Sequence, residues 1–123
     1  MTTEDQISIE LTDAERDLLV RGLGEWGGPA HATGALAVAI GFRGVEDMHE
    51  QVRRIGASLH AGQPLSRWDW RRALIATEIV FVSDIFGSGF EWSTTTGLSD
   101  EETVRTLRGL QYKLTKQARV HSA

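Results

Sequence analysis

Along "GVEDMHEQVRRIGASLHAG", the apolar residues Val45, Met48, Val52, Ile55 and Leu59 recur at alternating steps of three and four. That spacing lines one side of an α-helix and predicts a long amphipathic helix, closed by Gly62 and Pro64. A second pattern of this kind runs through "LTDAERDLLVRGLGEW". Leu11, Ala14, Leu18, Leu19, Leu23 and Trp26 form a broad stripe there, and Thr12 with Glu15 makes a capping box. "GGP" at 27–29 stops it. A third helix is expected after "SDEE", where Ser99 and Glu102 form another capping box. Val104, Leu107, Leu110 and Leu114 are its apolar stripe. Its acids come first and its bases later, as the helix dipole favours.

Two segments break the one-sided pattern. "AHATGALAVAIGF" is nearly all small and apolar, which predicts a short buried helix. "LSRWDWRRALIATEIVFVSDIFG" opens with Ser66 as cap and Asp69 as the capping-box acid, and almost every residue from Ala73 to Val82 is apolar. A helix hydrophobic all round is a central one. The β-branched Ile79, Val80 and Val82 would also suit a strand, but length and the helix-forming "WRRALIATE" favour helix. "ISIEL" alternates and reads as a short strand or an extended lead-in. The expected fold is all-α: about five helices in one compact domain over 1–123, with an optional short N-terminal strand and frayed ends at 1–6 and 119–123.

The chain of 123 residues, 41% hydrophobic and 24% charged, is long enough to bury a core without staples. It holds no cysteine, so disulfides and thiolate sites are excluded. The start lacks a basic stretch followed by an apolar run, and "ALIATEIVFV" is too short to span a bilayer, so a cytoplasmic location is expected. Arginine far outnumbers lysine, and alanine and glycine are abundant, which suits a GC-rich bacterial genome.

Net charge is −4, and its distribution is uneven. Residues 73–104 carry six acids and no basic residue, while Arg105, Arg108, Lys113, Lys116 and Arg119 follow with no acid after Glu102. Acidic stretches suit a basic protein partner better than phosphates. A helix-turn-helix reading of "TGALAVAIGFRGVEDMHEQV" puts Glu46, Asp47 and Glu50 where phosphates would lie, so nucleic-acid binding is disfavoured. "RWDWRR" mixes cation and aromatic, but Trp68 and Trp70 point to different helix faces, one of them to the core.

Glu46 and His49 form a lone "ExxH", where a di-iron carboxylate bundle needs two with two further glutamates, so no metal or cofactor is expected. Glu78, in the most apolar segment, must be paired, hydrogen-bonded or neutral. Arg105 or Arg108 is its expected partner, and a general acid or base is the functional alternative.

The working surface is placed in the connector "FGSGFEWSTTTGLSDEET", residues 86–103. The candidate binding residues are Asp84, Ser88, Glu91, Trp92, Ser93, Thr94, Thr95 and, beside them, Thr96. Trp92 would be an exposed interface anchor, with hydroxyls and acids selecting a basic surface. The plainer account makes Gly87 and Gly89 a helix stop, with Phe90 and Trp92 plugged back into the core. The resulting expectation is a small non-enzymatic binding protein of the immunity or antitoxin type, with a basic protein, such as a toxin, as partner. The alternatives are a ligand-binding protein or enzyme with an interhelical pocket around Glu78 and Asp84, and a nucleic-acid-associated regulator.

Overall fold

The structure is a computed structural model that describes residues 5–28 and 30–122. Six α-helices are formed among these residues: α1 (Asp13–Glu25), α2 (Gly34–Ile40), α3 (Val45–His60), α4 (Arg67–Val82), α5 (Trp92–Thr96) and α6 (Asp100–Gln117). Two-residue strands β1 (Gln6–Ile7) and β2 (Leu65–Ser66) pair antiparallel, with Gln6 opposite Ser66 and Ile7 opposite Leu65. Single 3-10 turns occupy Gly89–Glu91 and Val120–Ser122. The protein is therefore all-α apart from one minimal ladder. Of the ends expected to fray, residues 1–4 and 123 lie outside the described residues; Gln6 is paired in β1, and Val120 is buried.

α4 lies at the centre and touches α1, α2, α3, α6, β2 and both 3-10 turns. Its inward residues Trp70, Ala73, Leu74, Ala76, Thr77 and Val80 are buried. The all-round hydrophobic run is not buried to its end, however: Val82 is exposed, because among the described residues no element covers the last turn of α4 on that side. α2 also departs from its reading as a buried helix. Only Ala37 and Ile40 are buried and Val38 is exposed, since this short helix packs one edge against α3 and α4. In α6 the inward stripe is Thr103, Leu107, Leu110 and Leu114; Val104 faces out.

Charge ties the helix ends. Thr12 and Glu15 make the full capping box of α1, with Glu15 N–H donating to Thr12 Oγ1 at 3.1 Å and Thr12 N–H to Glu15 Oε1 at 2.8 Å. Lys113 Nζ of α6 donates to the same Glu15 oxygen at 2.6 Å. Ser66 accepts from Asp69 N–H at 3.1 Å, but the Asp69 carboxylate does not return the cap. It accepts instead from Arg54 of α3 at 2.8 Å and from Arg72 at 2.5 Å, because two guanidiniums offer it stronger, charge-assisted bonds. Arg72 also donates to Gly41 O at 3.2 Å and covers the ring of Phe42, fixing the end of α2 on α4.

For both carboxylates burial works to raise the pKa. The hydrogen bonds to Arg54 and Arg72 outweigh it at Asp69, and those to Lys113 and Thr12 outweigh it at Glu15, so both end below their ordinary values of 3.8 and 4.5. Groups depressed in the folded state contribute stability that is complete above their unfolded pKa and is lost as pH falls through the folded one. Melting temperature should therefore fall between about pH 5 and about pH 3, and the fall should be shallower in Asp69→Asn. At neutral pH that variant should lose about 3 kcal/mol in urea unfolding, the low end for a buried pair because Arg54 is half exposed.

Candidate functional site

The connector between α4 and α6 is a folded cap rather than an open loop. Ser83, the C-cap residue of α4, accepts from the amides of Ile85 and Phe86 through its hydroxyl, at 3.2 and 3.0 Å. Ser88 N–H donates back to Val80 O at 2.7 Å. That return is so close that a Cβ on Gly87 would stand 2.5 Å from the carbonyl oxygen of Val80 and 2.6 Å from its Cα. Gly89 holds a positive φ of +46°, and its Cβ would collide with the Asp84 carboxylate, which accepts from Phe90 N–H at 2.7 Å. Both glycines thus serve close approach of the backbone, not freedom to move.

Three of the candidate residues, Ser88, Trp92 and Thr96, are buried. Trp92 is fully buried, not an exposed anchor. Its ring meets Phe81 edge-on at 5.5 Å, and its indole N–H donates to Thr103 Oγ1 at 2.8 Å. This bond explains why Thr103 rather than Val104 turns inward. Ser88 is buried and donates to Glu25 Oε1 of α1 at 2.7 Å; the Thr95 hydroxyl donates to the same oxygen. Thr96 is buried, its hydroxyl donating to Trp92 O at 2.6 Å, while Arg21 of α1 donates to Thr96 O at 2.7 Å. Asp84 is exposed, and one of its oxygens is committed to Phe90.

Asp84, Glu91, Ser93, Thr94 and Thr95 are all exposed; the side chains of Asp84 and Thr95 are bonded within the protein, while Glu91, Ser93 and Thr94 face outward. Sequence reasoning missed what stands beside them. Val82, Ile85 and Phe90 are 72%, 75% and 79% exposed, so Phe90 is no core plug. The signal available was the stop at Ser83–Asp84, which ends α4 while the apolar sequence continues past it. Glu25 and Arg21, which anchor the cap from α1, carried no sequence signal at all.

The other candidates resolve into structural roles. Among the described residues no arginine pairs with Glu78: Gln111 Nε2 donates to it at 2.6 Å, and Arg108 donates to Gln111 Oε1 at 2.9 Å. An amide of α6 stands where the guanidinium was expected and relays the contact. Glu78 thus accepts from Gln111, and Asp84 accepts from Phe90 N–H. A cleft of about 270 Å³ does open between helices, but it lies between α1 and α3, around Val20, Leu23, His49 and Val52. Trp70 is buried and donates to Ile7 O at 3.0 Å, while Trp68 is exposed beneath the Arg71 guanidinium. Among the described residues no group of three His, Asp or Glu side chains is arranged to hold a metal ion, Glu46 and His49 included. Among them too, no helix is long and apolar enough to cross a membrane.

Comparison with protein-family models, with curated proteins and with solved structures finds no match to this chain.

A buried indole at the base of the cap makes Trp92 a stability residue. Trp92→Ala should cost about 3–5 kcal/mol in chemical denaturation, as for other large-to-small core changes. A variant with unchanged denaturation midpoint would show that the cap does not depend on it.

Proposed function

We propose that the protein is a non-enzymatic, cytoplasmic bacterial binding module that recognises a basic protein through its connector cap, in the way immunity proteins and antitoxins neutralise a basic toxin. One observation carries this reading. The cap is held rigid by its own hydrogen bonds to α1, α4 and α6, yet it turns Glu91, Ser93 and Thr94 outward within a segment that has six acids and no base. Preformed surfaces lose little ordering entropy on binding. A single-sign charge field steers an oppositely charged partner and rejects acidic ones. Three of those six acids, the exposed Asp100, Glu101 and Glu102, stand at the start of α6.

The recognition step is charge complementarity at the rim with adaptable hydroxyls between. Ser93 and Thr94 each offer one donor and two acceptor lone pairs, so they fit either kind of polar group.

A benzoylphenylalanine crosslinker placed at Thr94 should capture a basic protein in the native host, whereas the same crosslinker at Glu50 on α3 should not. With that protein purified, Glu91→Lys should weaken binding by roughly tenfold and flatten its salt dependence, mostly through the association rate. Equal capture from both positions, or a salt dependence that Glu91→Lys leaves untouched, would refute the reading.

A further inference from the structure

Val82, Ile85 and Phe90 are the three most exposed of the large apolar side chains, and all three fall within nine residues. The Asp84–Phe90 bond brings residue 90 back alongside residues 84 and 85, so Ile85 and Phe90 flank one closed turn at the end of α4. Apolar side chains grouped on a rigid surface and edged by charge mark an interaction site.

The surrounding backbone narrows what can sit there. The amides of Ile85 and Phe86 are taken by Ser83 Oγ, that of Gly87 by Ser83 O, that of Ser88 by Val80 O and that of Glu91 by Ser88 O. Phe86 O accepts from His31 N–H at 2.9 Å. These bonds leave no run of free backbone groups to pair with an added strand, so contact must be made through side chains, which is how an amphipathic helix docks. Charge narrows it further. A second copy related by a two-fold axis would set Asp84 and Glu91 against their own counterparts, a like-charge contact that costs affinity. A partner with basic residues beside its apolar ones meets no such penalty.

We infer that Val82, Ile85 and Phe90 are the apolar anchor of the cap, and that they seat the apolar face of a basic amphipathic helix whose Lys or Arg residues meet Asp84 and Glu91. The inference rests on the reading that the cap binds a basic protein, and it adds the secondary structure and the apolar face of the bound segment.

The probes are two peptides of identical Leu/Lys composition, each about five helical turns long. In one, leucines fall at i, i+3, i+4 and i+7; in the other the same residues are scrambled so that no face is apolar. The amphipathic peptide should bind at least about tenfold more tightly, and its amide shift changes should centre on residues 82–91. The double variant Ile85→Ser/Phe90→Ser should abolish that tenfold difference; both side chains are mostly exposed, so folding is not at stake, and Val82→Ser gives an independent check. Equal affinity of the two peptides, with Glu91→Lys weakening both, would overturn the helix inference while the acidic reading stands. No binding of either peptide to the wild-type chain would overturn both. Self-association of the wild type that the double variant removes would show instead that the patch seats a second copy.

Discussion

A buried indole must find an acceptor for its N–H, and three tryptophans of this protein are buried under that constraint. Trp26 donates to Ala76 O at 3.2 Å, Trp70 to Ile7 O at 3.0 Å and Trp92 to Thr103 Oγ1 at 2.8 Å. The first joins α1 to α4, the second joins the N-terminal strand to α4, and the third joins the cap to α6. An unmade bond of this kind costs about 1–3 kcal/mol, a large fraction of the stability of a small domain. The tryptophans therefore do more than fill volume. Each fixes the position of its own element against one particular atom of another, and the rest of the packing is arranged around those positions.

Three carboxylates apply the same logic at the edges of the core. Asp69 holds α3 to α4 through Arg54 and Arg72, Glu15 holds α1 to α6 through Lys113, and Glu25 holds α1 to the cap through Ser88 and Thr95. In each case the acid accepts from two donors, at least one of them on another element, which makes its burial tolerable. For the proposed binding surface the consequence lies in the cap. Its inward hydroxyls and indole are spent on α1 and α6, so its outward residues stand on a fixed base. A surface of this kind contributes affinity without first paying to be ordered.

The local part of this structure was legible in the sequence. The three-and-four spacing at Met48, Val52, Ile55 and Leu59 identifies α3 and its buried face, and Thr12 with Glu15 identifies the start of α1. Each depends only on residues within a few positions of one another, which is the range over which helix geometry and capping act. Ser66 and Ser99 likewise cap α4 and α6 as their positions imply. Of "ISIEL" only Ile7 lies in β1, and residues 8–11 run on outside any strand.

The candidate site was legible as a place and not as a surface. Where chain breaks fall follows from glycine, proline and cap residues; which side chains of the broken stretch face water does not. Trp92 and Phe90 lie two residues apart in the same segment, yet Trp92 is buried and Phe90 exposed, because the acceptor for the indole comes from α6 and the acceptor for the hydroxyls that close the cap is Glu25, sixty-three residues before Ser88. The same holds for Glu78, whose partner on α6 is Gln111 rather than an arginine, and for α2, where Ala37 is buried but Ala35 and Ala39 are exposed. The sequence by itself determined the longer helices, the starts of α1, α4 and α6 and the buried face of α3, because periodicity and capping are short-range. Only the tertiary structure decided which atoms would satisfy the buried polar groups and which apolar side chains would be left outside, because both depend on elements far apart in the chain meeting at one point.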